Sequence, residues 1–233
     1  MKHRYTKYGV GLPLTGLLVC ILVLGCAHSD ADQSVETADE SRGMTVVLPF
    51  VNMVKIYGSN ASVRNPITSK VFITGKIEEK AALDLTNELY RLIGQETKLK
   101  WGVFQDAQGD QGLSPFSPFG MKTDPVKRLQ ALGRQEGADT IMIGYLYAFR
   151  NRSGGDYGVE RPSHVSFELV LMKSGSGRIV WQRSFEEIQK SLSEDLLQLK
   201  SFIKRRGRWV SAQEMAKGAL KEMLQTVPQL DYH

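Results

Sequence analysis

Residues 138–149, ADTIMIGYLYAF, constrain the fold of this chain most strongly. Beyond Asp139 and Thr140 the run is apolar, apart from one glycine and the two tyrosine hydroxyls, and it lacks an alternating polar face. Such a segment is typical of a strand that is buried on both sides in the middle of a sheet. Other elements must then cover both faces of that sheet, so the sequence predicts an α/β domain built around this strand.

Two further strands and one helix are predicted before it. A β-branched apolar run at 44–50 and the segment LKWGVF at 99–104 both read as strands. Between them, apolar residues recur every three or four positions, which predicts an amphipathic helix over 77–93 with Gly94 as its C-cap. Residues 51–76 are predicted to be irregular, with one possible short edge strand at 71–74.

The segment immediately before the central strand has a helix start signal. Asp124 followed by Pro125 predicts an N-cap and a first helical position, and Gly137 predicts the end of that helix. The preceding stretch 105–122, which contains SPFSPFG, is predicted to be a loop. The polar stretch 150–163 is predicted to be a loop or the tip of a long hairpin.

A β-hairpin and C-terminal helices complete the predicted order. From residue 165 apolar and polar residues alternate, then KSGSGR forms a turn and IVWQRSF returns, which predicts a hairpin whose first strand is buried on one face. A leucine-rich stripe over 192–203 predicts a helix, and Ser211 with Glu214 predicts a capping box that opens the last one.

The resulting order is β, α, β, α, β, β, β, α, α. Early alternation followed by a hairpin favours an α/β (α+β) fold, with a mixed β-sheet flanked by helices in two or three layers. Residues 44–232 are predicted to form this single domain, which is an ordinary size for one folding unit.

The N-terminus has the composition of a secretory signal peptide. Lys2, Arg4 and Lys7 precede 17 residues, from Gly9 to Gly25, that carry no charge. A spanning helix needs about 20 apolar residues, so this run is short for a permanent anchor. Residues 1–25 are therefore predicted to be a signal peptide, with an uncleaved membrane helix or a buried core helix as the alternative.

The residues VLGC, 23–26, resemble the bacterial lipobox. That resemblance implies that Cys26 receives diacylglycerol, becomes the mature N-terminus after cleavage and carries acyl chains, which anchor a protein stably when several are present. Ala27 follows in place of a retention aspartate, which favours sorting to the outer membrane with the domain facing the periplasm. Residues 26–43 are polar and acidic and are predicted to be a flexible tether.

Net charge and cysteine count exclude several classes of protein. Of the 30 Lys and Arg, three lie in residues 1–25, so 27 bases remain against 25 acids. Nucleic-acid binding usually needs a strongly basic surface and is not predicted. Cys20 leaves with the signal and Cys26 is consumed by lipid, so neither a disulfide framework nor a catalytic cysteine is predicted.

No constellation for catalysis, metal binding or cofactor binding is recognisable. After processing the histidines are His28, His164 and His233, which are too far apart in the chain for metal-ligand spacing. His164 is predicted to be structural or solvent-facing, since no G-x-S-x-G elbow accompanies it. The paired carboxylates Glu78-Glu79 and Glu186-Glu187 point apart when adjacent, so the chain is predicted not to be an enzyme.

Two segments are candidate recognition surfaces. The basic segment FIKRRGRW, 202–209, is a possible anionic-ligand site, although its cations can equally complement a helix C-terminus. The loop SPFSPFG is a possible docking surface for a partner, although its phenylalanines can equally fold onto the core. The candidate residues are Lys204, Arg205, Arg206, Arg208 and Trp209 in the first segment and Phe116 and Phe119 in the second.

Four segments together resemble a module of bacterial envelope proteins: VVLPFVN at 46–52, the helix at 77–93, LQALGRQEGADTIMIGYLY at 129–147 and KSGSGRIVW at 173–181. The chain is similar here to the curli-secretion lipoprotein, the N-terminal domain of the Tol translocation protein and the lipoprotein activator of penicillin-binding proteins. The resemblance spans about residues 44–185 and implies a non-enzymatic, protein-binding periplasmic domain. It carries over no site residues.

These features predict a lipid-anchored, periplasm-facing lipoprotein that binds an envelope protein and helps to assemble or regulate an envelope complex. The alternative is a binder of lipopolysaccharide, lipid or glycan through the basic segment. Homo-oligomers are possible, but a pore is not predicted. Each transmembrane strand needs about 10 alternating residues, and neither 105–122 nor 150–163 shows such alternation.

Overall fold

The computed structural model of the 233-residue chain describes residues 43–104, 124–153, 161–189 and 210–230. The helices and strands within these ranges are β1 Met44–Val47, β2 Val51–Asn52, α1 Met53–Tyr57, β3 Ser62–Arg64, β4 Val71–Ile73, α2 Ala81–Glu96, β5 Lys100–Val103, α3 Pro125–Gln135, β6 Thr140–Arg150, β7 Ser163–Lys173, β8 Ile179–Gln189 and α4 Ala212–Leu224.

The main sheet has the strand order β5-β1-β6-β7-β8, and the short β2 also pairs with β6. Strand β1 runs parallel to both β5 and β6, whereas β6, β7 and β8 are successively antiparallel. A mixed sheet results, parallel on one side and antiparallel on the other. Together with the helices on its faces, this confirms the predicted α/β fold class.

Strand β6 is the central strand, as its composition predicts. Its residues 140–149 are all buried, and it pairs with β1 and β2 on one side and with β7 on the other. The register between β6 and β7 shifts between Leu146 and Ala148, where a bulge interrupts the ladder. The segment 150–163 joins these two strands, and Ser153 pairs with Arg161, so antiparallel pairing extends beyond the ends of both strands. The predicted loop or hairpin tip lies outside the described residues, at 154–160.

Two separate cores lie on the two faces of this sheet. Helices α2 and α4 pack together on one face, over residues such as Leu89, Phe167 and Leu220. The other face is covered by α1, α3 and the two-stranded β3–β4 hairpin, which enclose Tyr145 among other residues. The domain therefore has three layers, with the sheet between the helix pair and a mixed layer of hairpin and helices.

The predicted helix starts at α3 and α4 are both present. The Asp124 side chain accepts a hydrogen bond of 2.7 Å from the Val126 amide, and Pro125 occupies the first helical position. At α4 the Ser211 hydroxyl accepts from the Glu214 amide at 3.1 Å, and Glu214 Oε2 accepts from the Ser211 amide at 3.0 Å. These caps satisfy amide groups that a helix leaves without partners in its first turn.

The predicted boundaries of α2 were wrong at both ends. Ile77 lies outside the helix and forms an isolated parallel bridge with Phe149. Gly94 lies inside the helix, and Thr97 is the C-cap, since both its amide and its hydroxyl bond to the Ile93 carbonyl. A Cβ on Gly94 would lie 3.4 Å from Trp101 Nε1, an ordinary van der Waals distance, so the glycine does not terminate the helix and the packing leaves room for a side chain there.

The prediction that 51–76 is irregular was also wrong, because α1, β3 and β4 lie within it. Strand β4 matches the possible strand at 71–74, but within the described chain it pairs with β3 and not with the edge of the main sheet. Strand β7 was predicted to bury one face only, yet Ser166 and Glu168 are buried as well. The β3–β4 hairpin covers that second face, which a period-two pattern cannot reveal.

Candidate functional site: the β3–β4 hairpin and the polar cluster beneath it

The β3–β4 hairpin lies on the sheet with one face buried and the other in solvent. Val63 and Phe72 point inward and are 2% and 3% exposed, while their neighbours along each strand are exposed. The Phe72 ring stacks on Tyr147 of the central strand, with centroids 4.0 Å apart and planes inclined by 10°. This aromatic contact fixes the hairpin over the end of β6.

A buried carboxylate, Glu168 of β7, lies beneath the hairpin and is 1% exposed. Its Oε2 accepts a hydrogen bond of 2.8 Å from Asn65 Nδ2 and one of 3.0 Å from the Thr68 hydroxyl. Asn65 Nδ2 also donates to the Tyr147 hydroxyl oxygen at 2.9 Å. Because an unpaired buried charge is very costly, these donors determine whether Glu168 is tolerated at this position.

Asn65 organises the loop that joins β3 to β4. Its Oδ1 accepts hydrogen bonds from the amides of Ile67 at 2.7 Å and Thr68 at 3.1 Å, an Asx-type turn. The backbone amide of Asn65 donates a hydrogen bond of 2.8 Å to the backbone carbonyl of Lys70. One buried side chain thus shapes the loop and attaches it to the sheet through Glu168 and Tyr147.

Burial dominates the electrostatics of this cluster. It raises the pKa of the Glu168 carboxyl above its ordinary value, although the hydrogen bonds from Thr68 and Asn65 and the charge of Lys70 act in the opposite direction. Burial likewise raises the pKa of the Tyr147 hydroxyl. Lys70 Nζ itself donates to the Ser184 hydroxyl on β8, which extends the polar contacts to the edge strand.

The outer face of the hairpin is apolar and basic. Val71 and Ile73 on β4 are 51% and 53% exposed, and their cross-strand partners on β3 are Arg64 and Ser62. The whole segment 51–77 contains the four cations Lys55, Arg64, Lys70 and Lys76 and no acidic residue. We call Val71, Ile73 and Arg64 the hairpin face.

His164 lies near one end of this cluster, on β7. Its side chain is 12% exposed, and Nε2 is 3.8 Å from Glu186 Oε1. Burial lowers the pKa of its imidazole, while the Glu186 carboxylate acts against that shift. A Cβ on Gly75 would lie 3.1 Å from His164 Nδ1, so the ring is closely packed by the hairpin. This position agrees with the predicted structural role.

A concave surface lies between α2 and α4. It is a cleft of about 320 Å³ whose floor includes Leu85 and Phe149 and whose rim includes Asp84, Glu88 and Lys217. The hydrogen bond from Arg91, at 2.6 Å from Nη2 to Oε1, holds the pKa of Glu88 below its ordinary value. Lys217 Nζ lies 3.7 Å from the same oxygen. Glu88 and Lys217 are therefore engaged with each other across the two helices.

Glu78 and Glu186, one from each pair of adjacent carboxylates, have separate partners. Glu78 accepts two hydrogen bonds from Asn151, one from its backbone amide at 2.7 Å and one from its side-chain Nδ2 at 2.9 Å. Glu186 faces His164, whereas its neighbour Glu187 points to the opposite side of β8 in the alternation of the strand. Within the described ranges, no group of three or more His, Cys, Asp or Glu residues is arranged to hold a metal ion.

The recognition residues named from the sequence lie outside the described residues. These are Cys26, Phe116, Phe119, Lys204, Arg205, Arg206, Arg208 and Trp209. Sequence reasoning missed the cluster of Asn65, Tyr147 and Glu168. One signal was present, since Glu168 is the single charged residue between His164 and Lys173, and the only other polar residue there is Ser166.

Helices that could span a membrane are not found in the described parts of the chain, where every helix is too short or too polar. This finding concerns those helices alone.

No protein-family model matches this chain, and no curated protein matches it either. Similar solved structures include the PelC dodecamer from Paraburkholderia phytofirmans, with 10% identity, TM-score 0.45 and coverage of 79% of this chain and 87% of that one. Lipoprotein GNA1162 from Neisseria meningitidis has 14% identity and TM-score 0.35, with 71% of this chain and 98% of that one covered.

The C-terminal domain of LpoB from Escherichia coli is also similar, with 15% identity, TM-score 0.34 and coverage of 64% of this chain and 85% of that one. A bacterial lipoprotein is thus among the proteins whose fold this chain resembles. At these identities and TM-scores the likeness concerns the fold alone and carries no inference about function.

Proposed function

We propose that this chain is a lipid-anchored protein of the bacterial envelope, facing the periplasm, that binds another envelope protein and does not catalyse a reaction. Anchoring would use the lipobox-like residues 23–26, with acyl chains on Cys26. The observation that supports binding is the hairpin face, where Val71 and Ile73 lie side by side and each is more than half exposed.

The hairpin face is held in a fixed position, which favours recognition. Phe72 stacks on Tyr147 directly beneath it, and Asn65 bonds the adjoining loop to Glu168. A surface held in its binding conformation loses little conformational entropy when a partner docks. The buried polar residues thus act as supports for an interface, and their side chains hydrogen-bond to one another.

Charge specifies the chemistry of the partner. The segment 51–77 carries four cations and no acid, and Arg64 lies directly across from Val71. A complementary surface would place aliphatic side chains against Val71 and Ile73 and carboxylates around Arg64. We therefore propose an acidic, partly apolar protein surface as the occupant.

The predicted tether limits where that partner lies. Residues 26–43 are 18 residues long and span at most about 60 Å when fully extended. This tether would hold the domain, with a partner bound to the hairpin face, near the membrane and at a high effective concentration. This placement suits a factor that assembles or regulates a complex at the outer membrane.

Photocrosslinking in intact cells tests the binding proposal. A photoreactive amino acid at position 73 should yield an adduct with one foreign envelope protein, identified by mass spectrometry. The double variant Val71→Asp, Ile73→Asp should abolish co-purification of that protein. Leu83→Asp is the matched control, because Leu83 is 61% exposed on α2, away from the hairpin face, and should retain the partner.

Other results would contradict the proposal. Loss of the partner in both variants, or in neither, would show that the hairpin face is not the interface. Recovery of lipid or polysaccharide alone would favour the anionic-ligand alternative through Lys204, Arg205, Arg206 and Arg208. Thermal unfolding of each variant checks that the exposed substitutions leave the domain folded.

Anchoring is tested separately. Cys26→Ser should remove the mass of the acyl chains and leave residues 1–25 attached, because the lipobox resemblance implies cleavage only before a lipid-bearing cysteine. A natural chain whose mass shows no acyl groups on Cys26 would contradict lipidation without bearing on the hairpin face.

A further inference from the structure

Strand β8 forms one edge of the main sheet. It spans 11 residues, Ile179–Gln189, and pairs with β7 on one side only. In the described part of the chain no strand pairs with its outer side. A long edge strand presents a row of backbone amides and carbonyls that can pair with another chain.

The outward backbone groups can be assigned from the hydrogen-bond alternation. The Lys173 amide of β7 donates to the Arg178 carbonyl at the start of the hairpin, so odd-numbered residues of β7 face β8. The register pairs Leu169 with Arg183 and Phe167 with Phe185. Backbone groups of the even-numbered residues 182, 184, 186 and 188 therefore point outward.

We propose that two copies of this chain associate by antiparallel pairing of β8 with β8, about a two-fold axis that passes through Phe185. The two main sheets would then form one continuous sheet across the dimer. This interface is distinct from the hairpin face and goes beyond the proposed function.

The charged side chains of β8 favour this register over registers shifted by one or two residues. An axis at Arg183 or at Glu186 would place like charges directly opposite each other, which is destabilising. An axis at Ser184 would place Arg183 opposite Phe185 and so leave it without a carboxylate. With the axis at Phe185, Arg183 of each copy lies opposite Glu187 of the other.

The same register brings a second pair of charges together. Ser184 of one copy lies opposite Glu186 of the other, and Lys70 Nζ of the first copy already contacts the Ser184 hydroxyl. Glu186 is 52% exposed in the single chain. Each Glu186 would therefore approach a lysine ammonium of the other copy, which offsets the diagonal proximity of the two Glu186 carboxylates.

Apolar contact adds to the pairing at the axis. The two Phe185 residues would face each other as a non-hydrogen-bonded pair, the closer of the two antiparallel arrangements. Beside them, an open groove of about 460 Å³ runs along 179–183 and is walled by Thr226 and Pro228. Trp181 Nε1 donates a hydrogen bond of 3.1 Å to Thr226 Oγ1 and so fixes that wall. The groove leaves space for the end of the second copy's β8.

Charge reversal with rescue tests the dimer on the full-length, lipidated chain. Sedimentation equilibrium in density-matched detergent should show dimers for the natural chain. Arg183→Glu alone and Glu187→Arg alone should each raise the dimer dissociation constant about tenfold, because two symmetric ion pairs become like-charge pairs. The double variant Arg183→Glu, Glu187→Arg should restore dimerisation, which misfolding would not.

Disulfide trapping tests the register. Phe185→Cys should give a covalent dimer under mild oxidation in membranes, since directly opposed residues have Cα atoms within disulfide range. Ser184→Cys should give little covalent dimer, and the natural chain serves as the control for any disulfide formed by its own cysteines.

A monomer at all concentrations, no rescue in the double variant, or stronger trapping at Ser184 would overturn this proposal. Val71→Asp, Ile73→Asp should leave the dimer intact, so the two proposals can fail independently.

Discussion

Asn65 and Glu168 are separated by 103 positions in the chain, yet Asn65 Nδ2 lies 2.8 Å from Glu168 Oε2 inside the domain. This contact joins the loop of a short surface hairpin to the second strand of the antiparallel half of the sheet. It requires both partners, because the carboxylate would otherwise be buried without compensation and the amide would lose its anchor. The behaviour of the hairpin therefore depends on the state of this one carboxyl group.

Stability should fall with rising pH because of Glu168. Its pKa is raised in the folded protein, so the native state holds the proton more tightly than the unfolded chain. Its stabilising contribution is present below the unfolded pKa and is lost as pH rises through the folded pKa. Glu168→Gln should therefore be more stable than the natural chain above that range and similar to it below, as measured by urea unfolding across pH.

Glu88→Gln provides a control of opposite sign for that experiment. The pKa of Glu88 is lowered by Arg91, so its contribution is present at neutral pH and is lost as pH falls through the folded pKa. Replacing it should reduce stability at neutral pH and not at acidic pH. If Glu168→Gln behaved in this way, burial would not be the dominant influence on Glu168.

Asn65→Ala should destabilise the domain by about 2–4 kcal/mol, since it removes a donor to a buried carboxylate and an acceptor for two backbone amides. Asn52→Ala is the comparison, because Asn52 also accepts from two amides but acts only as the N-cap of α1. That change should cost about 1 kcal/mol. Equal losses in chemical denaturation would show that the Glu168 contact adds nothing.

Gly133→Ala should destabilise the protein by about 1–3 kcal/mol through overpacking. A Cβ at this position would lie 2.5 Å from Ser174 Cβ, where α3 meets the turn between β7 and β8. Gly218→Ala, in the exposed interior of α4, meets nothing within 4 Å and should stabilise by about 0.5–1 kcal/mol. Opposite shifts in thermal midpoint are the expected result, and a stabilising effect at Gly133 would contradict the close approach.

Ser211→Ala should cost about 1 kcal/mol, because it removes the hydroxyl that caps the first turn of α4. Ser211→Thr retains that hydroxyl and should stay close to the natural stability. Thermal unfolding monitored by circular dichroism distinguishes the two. A loss of equal size in both variants would indicate packing and not capping as the role of Ser211.

Local patterns predicted a large part of the fold. The apolar run of β6, the β7–β8 hairpin and the caps at Asp124 and Ser211 depend on residues that are close in the chain, so period and capping chemistry suffice to find them. The strands β3 and β4 are three residues each, which is too short for an alternation to be recognised. Gly94 was misread because a helix-interior glycine and a C-cap glycine look alike in the sequence, and only the structure shows that the helix continues to a C-cap at Thr97.

The sequence by itself determined the class of the domain, the central position of β6 and the chemical character of the N-terminus, since each follows from neighbouring residues. Only the tertiary structure showed that the β3–β4 hairpin folds over β7 and buries Glu168 against Asn65, and that β8 is the edge of the sheet formed by the described strands. These features depend on groups brought together from distant parts of the chain. Whether a polar residue in a strand faces water or a covering hairpin is decided by what packs on it, and that is not encoded in its local period.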